Sequence, residues 1–254
     1  MIRLLQKLKR FETVRIFNGQ RHKQRMHEFY AQFINEGDLC FDVGANVGNR
    51  TEIFLELGAT VVAVEPQAAC ARRLHKKYGR NKKVITVQQA LGEAKGEARL
   101  MVSNAHTISS LSNEWINAVK TSGRFAAYKW DRSVTVPVTT LDELIADYGQ
   151  PAFCKIDVEG YEFQVLRGLS RPIRTISFEF TPEFIHATID SVQYLSSLGS
   201  LGFNYSIGES MQLALPEWVD SEHMRQLLTS LPDPDRTLFG DVYAKELSQK
   251  KETL

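Results

Sequence analysis

Short apolar runs alternate with stretches of helical periodicity along most of this chain, and the alternation predicts its elements. Runs suited to buried strands fall near residues 38–43, 60–64, 84–87, 98–102, 133–138, 153–157, 175–180, 203–207 and 240–245, with helical patterns between many of them. Strands and helices taken in turn imply βαβ units, hence an α/β architecture with a largely parallel sheet and helices on both faces. Gly79 stops the helix that begins near Gln67, and Thr140-Leu141-Asp142-Glu143 has capping-box spacing at the start of another. No repeat and no low-complexity linker divides the chain. The pattern predicts one domain over 35–247, preceded by a helical N-terminal extension over 1–34.

The first strand ends in residues that suggest a ligand. Leu39-Cys40-Phe41-Asp42-Val43-Gly44-Ala45-Asn46-Val47-Gly48 passes from apolar residues into an acid and a glycine-bearing turn, and Val61-Val62-Ala63-Val64-Glu65 ends in a second acid. Roughly 20 residues separate such acids when the later one bonds ribose hydroxyls. Gly44 and Gly48 lack a Cβ, so the backbone can turn sharply and a ligand can approach closely. A dinucleotide turn reads G-x-G-x-x-G and directs amides and a helix N-terminus at a pyrophosphate. This turn reads D-x-G-x-N-x-G, and Asp42 would repel a pyrophosphate and welcome an ammonium group. S-adenosylmethionine has an adenosine, a sulfonium and an amino acid end, and no phosphate, so it suits the turn better than a nicotinamide cofactor does.

A second constellation follows in Pro151-Ala152-Phe153-Cys154-Lys155-Ile156-Asp157-Val158-Glu159-Gly160. Side chains alternate along a strand, so Lys155, Asp157 and, if the strand continues, Glu159 share one side. The carboxyl ends of strands are the rim where open α/β sheets bind ligands. A buried lysine requires a carboxylate beside it. Asp157 and Glu179, the latter closing the run Thr175-Ile176-Ser177-Phe178, are the candidates. An ion pair that merely closes the sheet edge would account for one partner, but three charges at one strand end exceed that need.

Charge alters this picture only locally. With 31 basic and 30 acidic residues the formal net charge is +1, so no overall field recruits nucleic acid. Through residue 30, however, eight basic residues stand against Glu12 and Glu28, and Leu4, Leu5, Leu8 and Phe11 recur at helical spacing. Such an amphipathic helix lies on its own domain, on a partner or on an anionic membrane surface, and a solvated helix face is its plainest role. The run Arg72, Arg73, Lys76, Lys77, Arg80, Lys82 and Lys83 could touch an anionic substrate. It lacks the interspersed aromatic residues of a nucleic-acid platform and is expected to be a solvated face. No apolar run approaches the roughly 20 residues that span a bilayer, and no signal-peptide pattern is present, which implies a cytoplasmic protein. Cys40, Cys70 and Cys154 form no C-x-x-C pair and are expected to be buried and reduced.

The segments Asp42 to Gly48, Val64-Glu65-Pro66, Ala90-Leu91-Gly92, Thr139-Thr140-Leu141-Asp142 and Lys155 to Gly160, with Val165-Leu166-Arg167-Gly168 behind, resemble the FkbM family of methyltransferases over about residues 38 to 182. Phe239-Gly240-Asp241-Val242-Tyr243-Ala244 is similar to the final strand of that fold. The resemblance implies a Rossmann-like seven-stranded sheet, mostly parallel with an antiparallel last strand, and S-adenosylmethionine-dependent methylation of hydroxyl groups on sugars, glycans or other small metabolites. It places Asp42 and Gly44, in the turn with Asn46 and Gly48, at the amino acid end of the cofactor, Glu65 at the ribose and Gln89 and Ala90 near the adenine. Asp157 and Glu159 would face the methyl-transfer zone. Ser109-Ser110-Leu111 matches a family loop, either a lid or substrate contact or a plain surface turn.

A hydroxyl acceptor must lose its proton near neutral pH. Asp157 is the expected base, or Lys155 if burial depresses its pKa, with Glu159 or Glu179 positioning the acceptor or a partner charge. Two or three carboxylates at one strand end could instead bind magnesium, so a divalent metal stays open. An RNA ribose acceptor, a nucleoside-binding module without catalysis and a nicotinamide dehydrogenase are the alternatives. A Ser-His-Asp hydrolase is not expected, since no G-x-S-x-G elbow occurs. The region from Glu183 to Pro234 is expected to shape the acceptor side, where Tyr194, Phe203, Tyr205 and Trp218 would stack on a sugar or pack in the core.

Overall fold

A computed structural model describes residues 19–231 and 237–247. After helix α1 (residues 19–30) come β1 (Leu39–Val43), α2 (Asn49–Glu56), β2 (Thr60–Val64), α3 (Ala68–Tyr78), β3 (Val84–Val87), β4 (Ala90–Leu91) and β5 (Gly96–Val102). Then follow α4 (Asn113–Ser122), β6 (Arg132–Thr139), α5 (Leu141–Tyr148), β7 (Phe153–Ile156), α6 (Glu162–Leu166), β8 (Thr175–Phe180), α7 (Ile185–Leu198), β9 (Leu201–Ile207), α8 (Ser221–Ser230) and β10 (Gly240–Glu246).

Seven strands form one sheet in the order β3-β2-β1-β7-β8-β10-β9. Its pairs are parallel except those of β10, which is antiparallel to both β8 and β9. This is the seven-stranded, mostly parallel sheet with an antiparallel last strand that the resemblance implies. The expected strands near 98–102 and 133–138 exist but stand outside it, as β5 and β6 of a separate three-stranded sheet β4-β6-β5. Burial explains the separation. Much of β5 and β6 is exposed, as in sheets with one face in water, whereas β1, β2 and β7 are buried nearly throughout, as parallel strands covered by helices must be.

Strand alternation divides the core between the two faces. Phe41, Val43, Cys154, Ile156 and Phe178 pack in one large cluster, while Cys40 and Phe153 point the other way to meet Ile53 and Phe54 of α2. Helix α1 completes that second cluster: Phe29 sets its ring edge-on to Tyr243, and Phe33, just past the helix, stacks on Phe153 and Tyr243. The described part of the basic extension is therefore packed on the domain with its cations on the outer face, and Lys23 pairs with Glu52 and Glu56 of α2. Leu4, Leu5, Leu8 and Phe11 lie outside the described residues.

The capping box is present, with the Thr140 hydroxyl accepting from the Glu143 amide at 3.2 Å. Thr140→Ala is expected to lower the unfolding free energy by about 1 kcal/mol, read from a urea transition. All three cysteines are free and buried. Among the described residues no helix is long and apolar enough to cross a membrane.

Candidate active site

The parallel strands β1, β2, β7 and β8 end on one edge of the sheet, and a pocket of about 300 Å³ opens over those ends. Of the residues singled out from the sequence, Asp42, Gly44, Asn46, Glu65, Gln89, Ala90, Lys155, Asp157, Glu159 and Glu179 all line it. Gly48 does not. It takes a left-handed conformation as the residue capping α2, and an added Cβ would meet Leu74 and Tyr78 of α3, each at 2.8 Å. Its smallness thus serves helix packing, and the Tyr78 hydroxyl donates to its carbonyl at 3.1 Å.

Gly44 also departs from expectation in detail. Its φ is +83°, and a Cβ there would run into the main-chain carbonyl oxygen of Asp157. The glycine therefore lets two strand ends touch. The turn is held on its other side by the Gly44 and Ala45 amides, which donate to the Val64 carbonyl at 2.9 and 3.0 Å, and the Asp157 amide donates to Val43 at 2.9 Å.

At the β2 end Glu65 is buried, and its two oxygens accept from the backbone amides of Asn46 at 2.9 Å and Gln67 at 2.7 Å. Burial pushes its carboxyl up to about 7 despite those bonds. Asp42 is also buried, accepts from the Thr51 hydroxyl at 2.5 Å, and sits in register opposite Lys155 on the adjacent strand. Burial raises its pKa as well. Gln89, Ala90, Leu91 and Leu100 supply a mostly apolar wall beyond Glu65. That combination suits a flat base joined to a ribose.

The acidic end is built differently from what a continuing strand would give. Strand β7 stops at Ile156, and Glu159 reaches the pocket through a turn in which it and Gly160 have φ of +57° and +86°. The turn is pinned from within and from outside. The Glu162 carboxylate accepts from the Val158 amide at 3.0 Å and the Gly160 amide at 3.2 Å, and the Ser110 hydroxyl donates to the Glu159 carbonyl at 2.6 Å. A Cβ on Gly160 would strike the Trp115 indole. Carboxylate oxygens of Asp157, Glu159 and Glu179 all come within 4.8 Å of one another, close enough to share one divalent cation. Burial, and then the neighbouring Asp157, holds the Glu159 and Glu179 carboxyls well above their ordinary values.

Lys155 is only 1 % exposed, and its ammonium lies 2.9 Å from Asp241 and 3.3 Å from Asp157. Asp241 on β10 thus takes the partnership that the sequence offered to Glu179, which it faces across the β8–β10 pair. Burial alone would pull the Lys155 pKa down, but the Asp157 and Asp241 charges outweigh it and hold the pKa well above its ordinary value. The condition under which Lys155 could act as base is not met. It stays a cation.

The loop carrying Ser109 and Ser110 is a wall of the pocket rather than a plain surface turn. His106, Thr107, Ser109 and Leu111 line the cavity. The side chains of Asn46 and Gln67 donate to the His106 carbonyl at 3.2 and 2.9 Å, and the Ser109 hydroxyl donates to Gln67 at 3.0 Å. Arg50 and Glu209 also line the pocket, where Arg50 donates to both oxygens of Glu209 at 2.8 Å. Neither belongs to a recognisable motif. Glu209 is what the region from 183 to 234 contributes among the described residues, since Tyr194, Phe203, Tyr205 and Trp218 do not line the cavity. Phe203 is wholly buried, and Tyr194 donates to the Leu169 carbonyl at 2.8 Å. Core packing accounts for these rings.

Hexuronic acid methyltransferase AglP of Haloferax volcanii is 28% identical over 158 residues, which cover 61% of this chain and 59% of AglP. Among solved structures, precorrin-6y C5,15-methyltransferase from Geobacter metallireducens aligns with a TM-score of 0.47 at 9% identity over 87% of each chain. An S-adenosylmethionine-dependent O-methyltransferase from Thermotoga maritima aligns with a TM-score of 0.40 at 12% identity over 89% of this chain and 66% of the other. Likenesses this remote carry no information about substrate. The turn after β1, the acid closing β2 and the Lys155–Gly160 block all fall within residues 42–231, the span matched by the methyltransferase FkbM domain, and the chain belongs to that family.

Proposed function

We propose that this protein transfers a methyl group from S-adenosylmethionine to a hydroxyl oxygen of a sugar, a glycan or another small metabolite. The observation that carries the proposal is one pocket lined both by the Glu65 carboxylate at the end of β2 and by the Asp157–Glu159–Glu179 cluster at the ends of β7 and β8. The residues fit the cofactor. Glu65 retains lone pairs for ribose hydroxyls, Asp42 offers negative charge to an ammonium, and the first turn brings no cation that would recognise a pyrophosphate at that strand end. The name of AglP supports a sugar among the acceptors considered.

S-adenosylmethionine supplies a methyl group already activated by its sulfonium. The protein's task is then alignment, worth on the order of 7–11 kcal/mol for well-oriented reactants, and removal of the acceptor proton. Asp157, about a third exposed in the pocket and tethered by Lys155, is placed to take that proton. Glu159 and Glu179, whose carboxyls burial and the neighbouring Asp157 hold well above their ordinary values, flank that position and can orient the acceptor.

Calorimetry with S-adenosylmethionine and with NAD tests the donor end. We expect binding of the first alone, and Glu65→Gln is expected to weaken it roughly 10- to 100-fold through the loss of charge-assisted bonds to ribose. Binding of NAD alone would instead indicate a dehydrogenase. A labelled-methyl assay against sugar, glycan and RNA pools tests the acceptor end, and cofactor binding without transfer to any pool would identify a binding module. Activity retained in excess chelator would assign deprotonation to the carboxylates without an exchangeable metal.

A further inference from the structure

We infer that Arg50 binds a carboxylate of the ligand, and that Glu209 holds its place until that ligand arrives. The inference rests on the pocket being the ligand site proposed above, and it adds what the site recognises. Among the described residues Arg50 and Lys155 are the arginine and lysine that line the cavity, and they share it with six carboxyl groups. An anionic group entering such a cavity is repelled unless a cation can meet it. Lys155 is already committed. Its ammonium is buried and paired with both Asp157 and Asp241.

Arg50 has a partner that can leave. Its side chain is 15% exposed and is paired with Glu209, which is 47% exposed and comes from the segment after β9. The pair also uses the guanidinium incompletely. A carboxylate that fits arginine well spans two nitrogens, one oxygen on each. Here Nη2 donates to both Glu209 oxygens, Nη1 lies against the Met26 thioether, and Nε is buried with no hydrogen-bond partner. A carboxylate taking the place of Glu209 can use Nη2 and Nε in parallel, the fork that Glu209 leaves half-used.

The exchange asks little of the fold. Met211, two residues beyond Glu209, is buried in the same apolar cluster as Met26, so the backbone is anchored and only the glutamate side chain need turn outward. Water already reaches about half of that side chain, and the His22 imidazole lies 3.5 Å from it. Arg50 is largely out of water beforehand, so replacing one carboxylate by another adds little desolvation cost. Two ligands of the proposed reaction can bring the acid. One is an acceptor that is a sugar acid, and the other is S-adenosylmethionine through its amino acid end.

Calorimetry of the full chain with two matched pairs of probes tests this. Methyl glucuronide is compared with methyl glucoside, and S-adenosylmethionine with its decarboxylated analogue, which keeps the ammonium. In one pair the wild type should prefer the acid. Arg50→Gln should weaken that acid roughly 10- to 100-fold and leave its neutral counterpart unchanged, the effect expected for lost bonds between charged groups. Glu209→Gln should tighten the same acid about 10-fold, because the competing carboxylate is gone. A pair that served only the fold would lower the urea midpoint in both variants without moving the two affinities in opposite directions. Changes confined to the glucuronide pair assign Arg50 to the acceptor, and changes confined to the cofactor pair assign it to the donor. Unaltered preference in both pairs on Arg50→Gln, or weaker acid binding on Glu209→Gln, would overturn the inference. Failure of the broader reading looks different: a wild type that binds no S-adenosylmethionine loses its donor, while the glucuronide pair still reports on Arg50.

Discussion

Asp157→Asn is expected to reduce the turnover of methyl transfer by about 10²–10⁴-fold while S-adenosylmethionine affinity is largely retained. The split follows from the geometry. Asp157 belongs to the carboxylate cluster proposed for the acceptor end, whereas the ribose-binding role is proposed for Glu65, which bonds Asn46 and Gln67 and not Asp157. The substitution also spares the fold, since Lys155 keeps Asp241 at 2.9 Å. The pH dependence supplies a second reading. An ionised carboxylate must accept the proton, so wild-type activity rises with pH as the cluster gives up its proton. Asp157 is one of the charges that hold the Glu159 and Glu179 carboxyls up. With that charge removed both ionise at lower pH, so the acid limb of the residual activity should move to lower pH. A variant that turns over at the wild-type rate would sink the assignment, and an unshifted limb would separate Asp157 from the cluster.

Lys155→Met should lower the unfolding free energy at pH 7 by about 3–5 kcal/mol, the usual consequence of stripping one partner from a buried ion pair. Asp241 is 8 % exposed and would be left without a cation. The sign of the pH dependence is informative. In the wild type the raised Lys155 pKa contributes stability that is fully present at and below neutral pH and is lost only as pH climbs through the folded value. In the variant that Lys155 contribution is absent, so the loss of stability as pH climbs through the folded Lys155 value should disappear. The double change Lys155→Met with Asp241→Asn should recover part of the loss because no charge is left unpaired there. Urea transitions across pH measure both effects, and a variant as stable as the wild type would show the pair to be dispensable.

The sheet was legible because its strands are buried on both sides and therefore read as continuous apolar runs, and because acids and glycines mark their carboxyl ends. The small sheet was less so. The runs near 98–102 and 133–138 announce strands, but a strand's partner is set by long-range pairing that the local pattern does not encode. The site divides in the same way. Asp42, Glu65, Lys155 and Asp157 sit at strand ends that spacing reveals, and Glu159 arrives at the cluster although the turn that carries it was not foreseen. Asp241 lies 86 residues from Lys155, and Arg50 lies 159 from Glu209. Only the strand order brings the first pair together. One signal for Asp241 was present: it opens the final strand, and an antiparallel strand beside β8 must start at the rim where β8 ends.

The contact between Gly44 and the Asp157 carbonyl bears on how such a pocket can diverge. Because the β1 turn and the end of β7 meet backbone to backbone, Gly44 cannot accept a side chain, and neither segment can shift its path without displacing the other. The donor-binding and proton-removing roles proposed for these two strand ends are in this sense inherited as one piece, and drift at either end would damage both. Change in what is methylated is left to the segments that reach the cavity from outside the sheet, namely those carrying His106, Thr107 and Glu209. A lineage adapting this protein to a new acceptor would rewrite those loops and leave the strand ends alone.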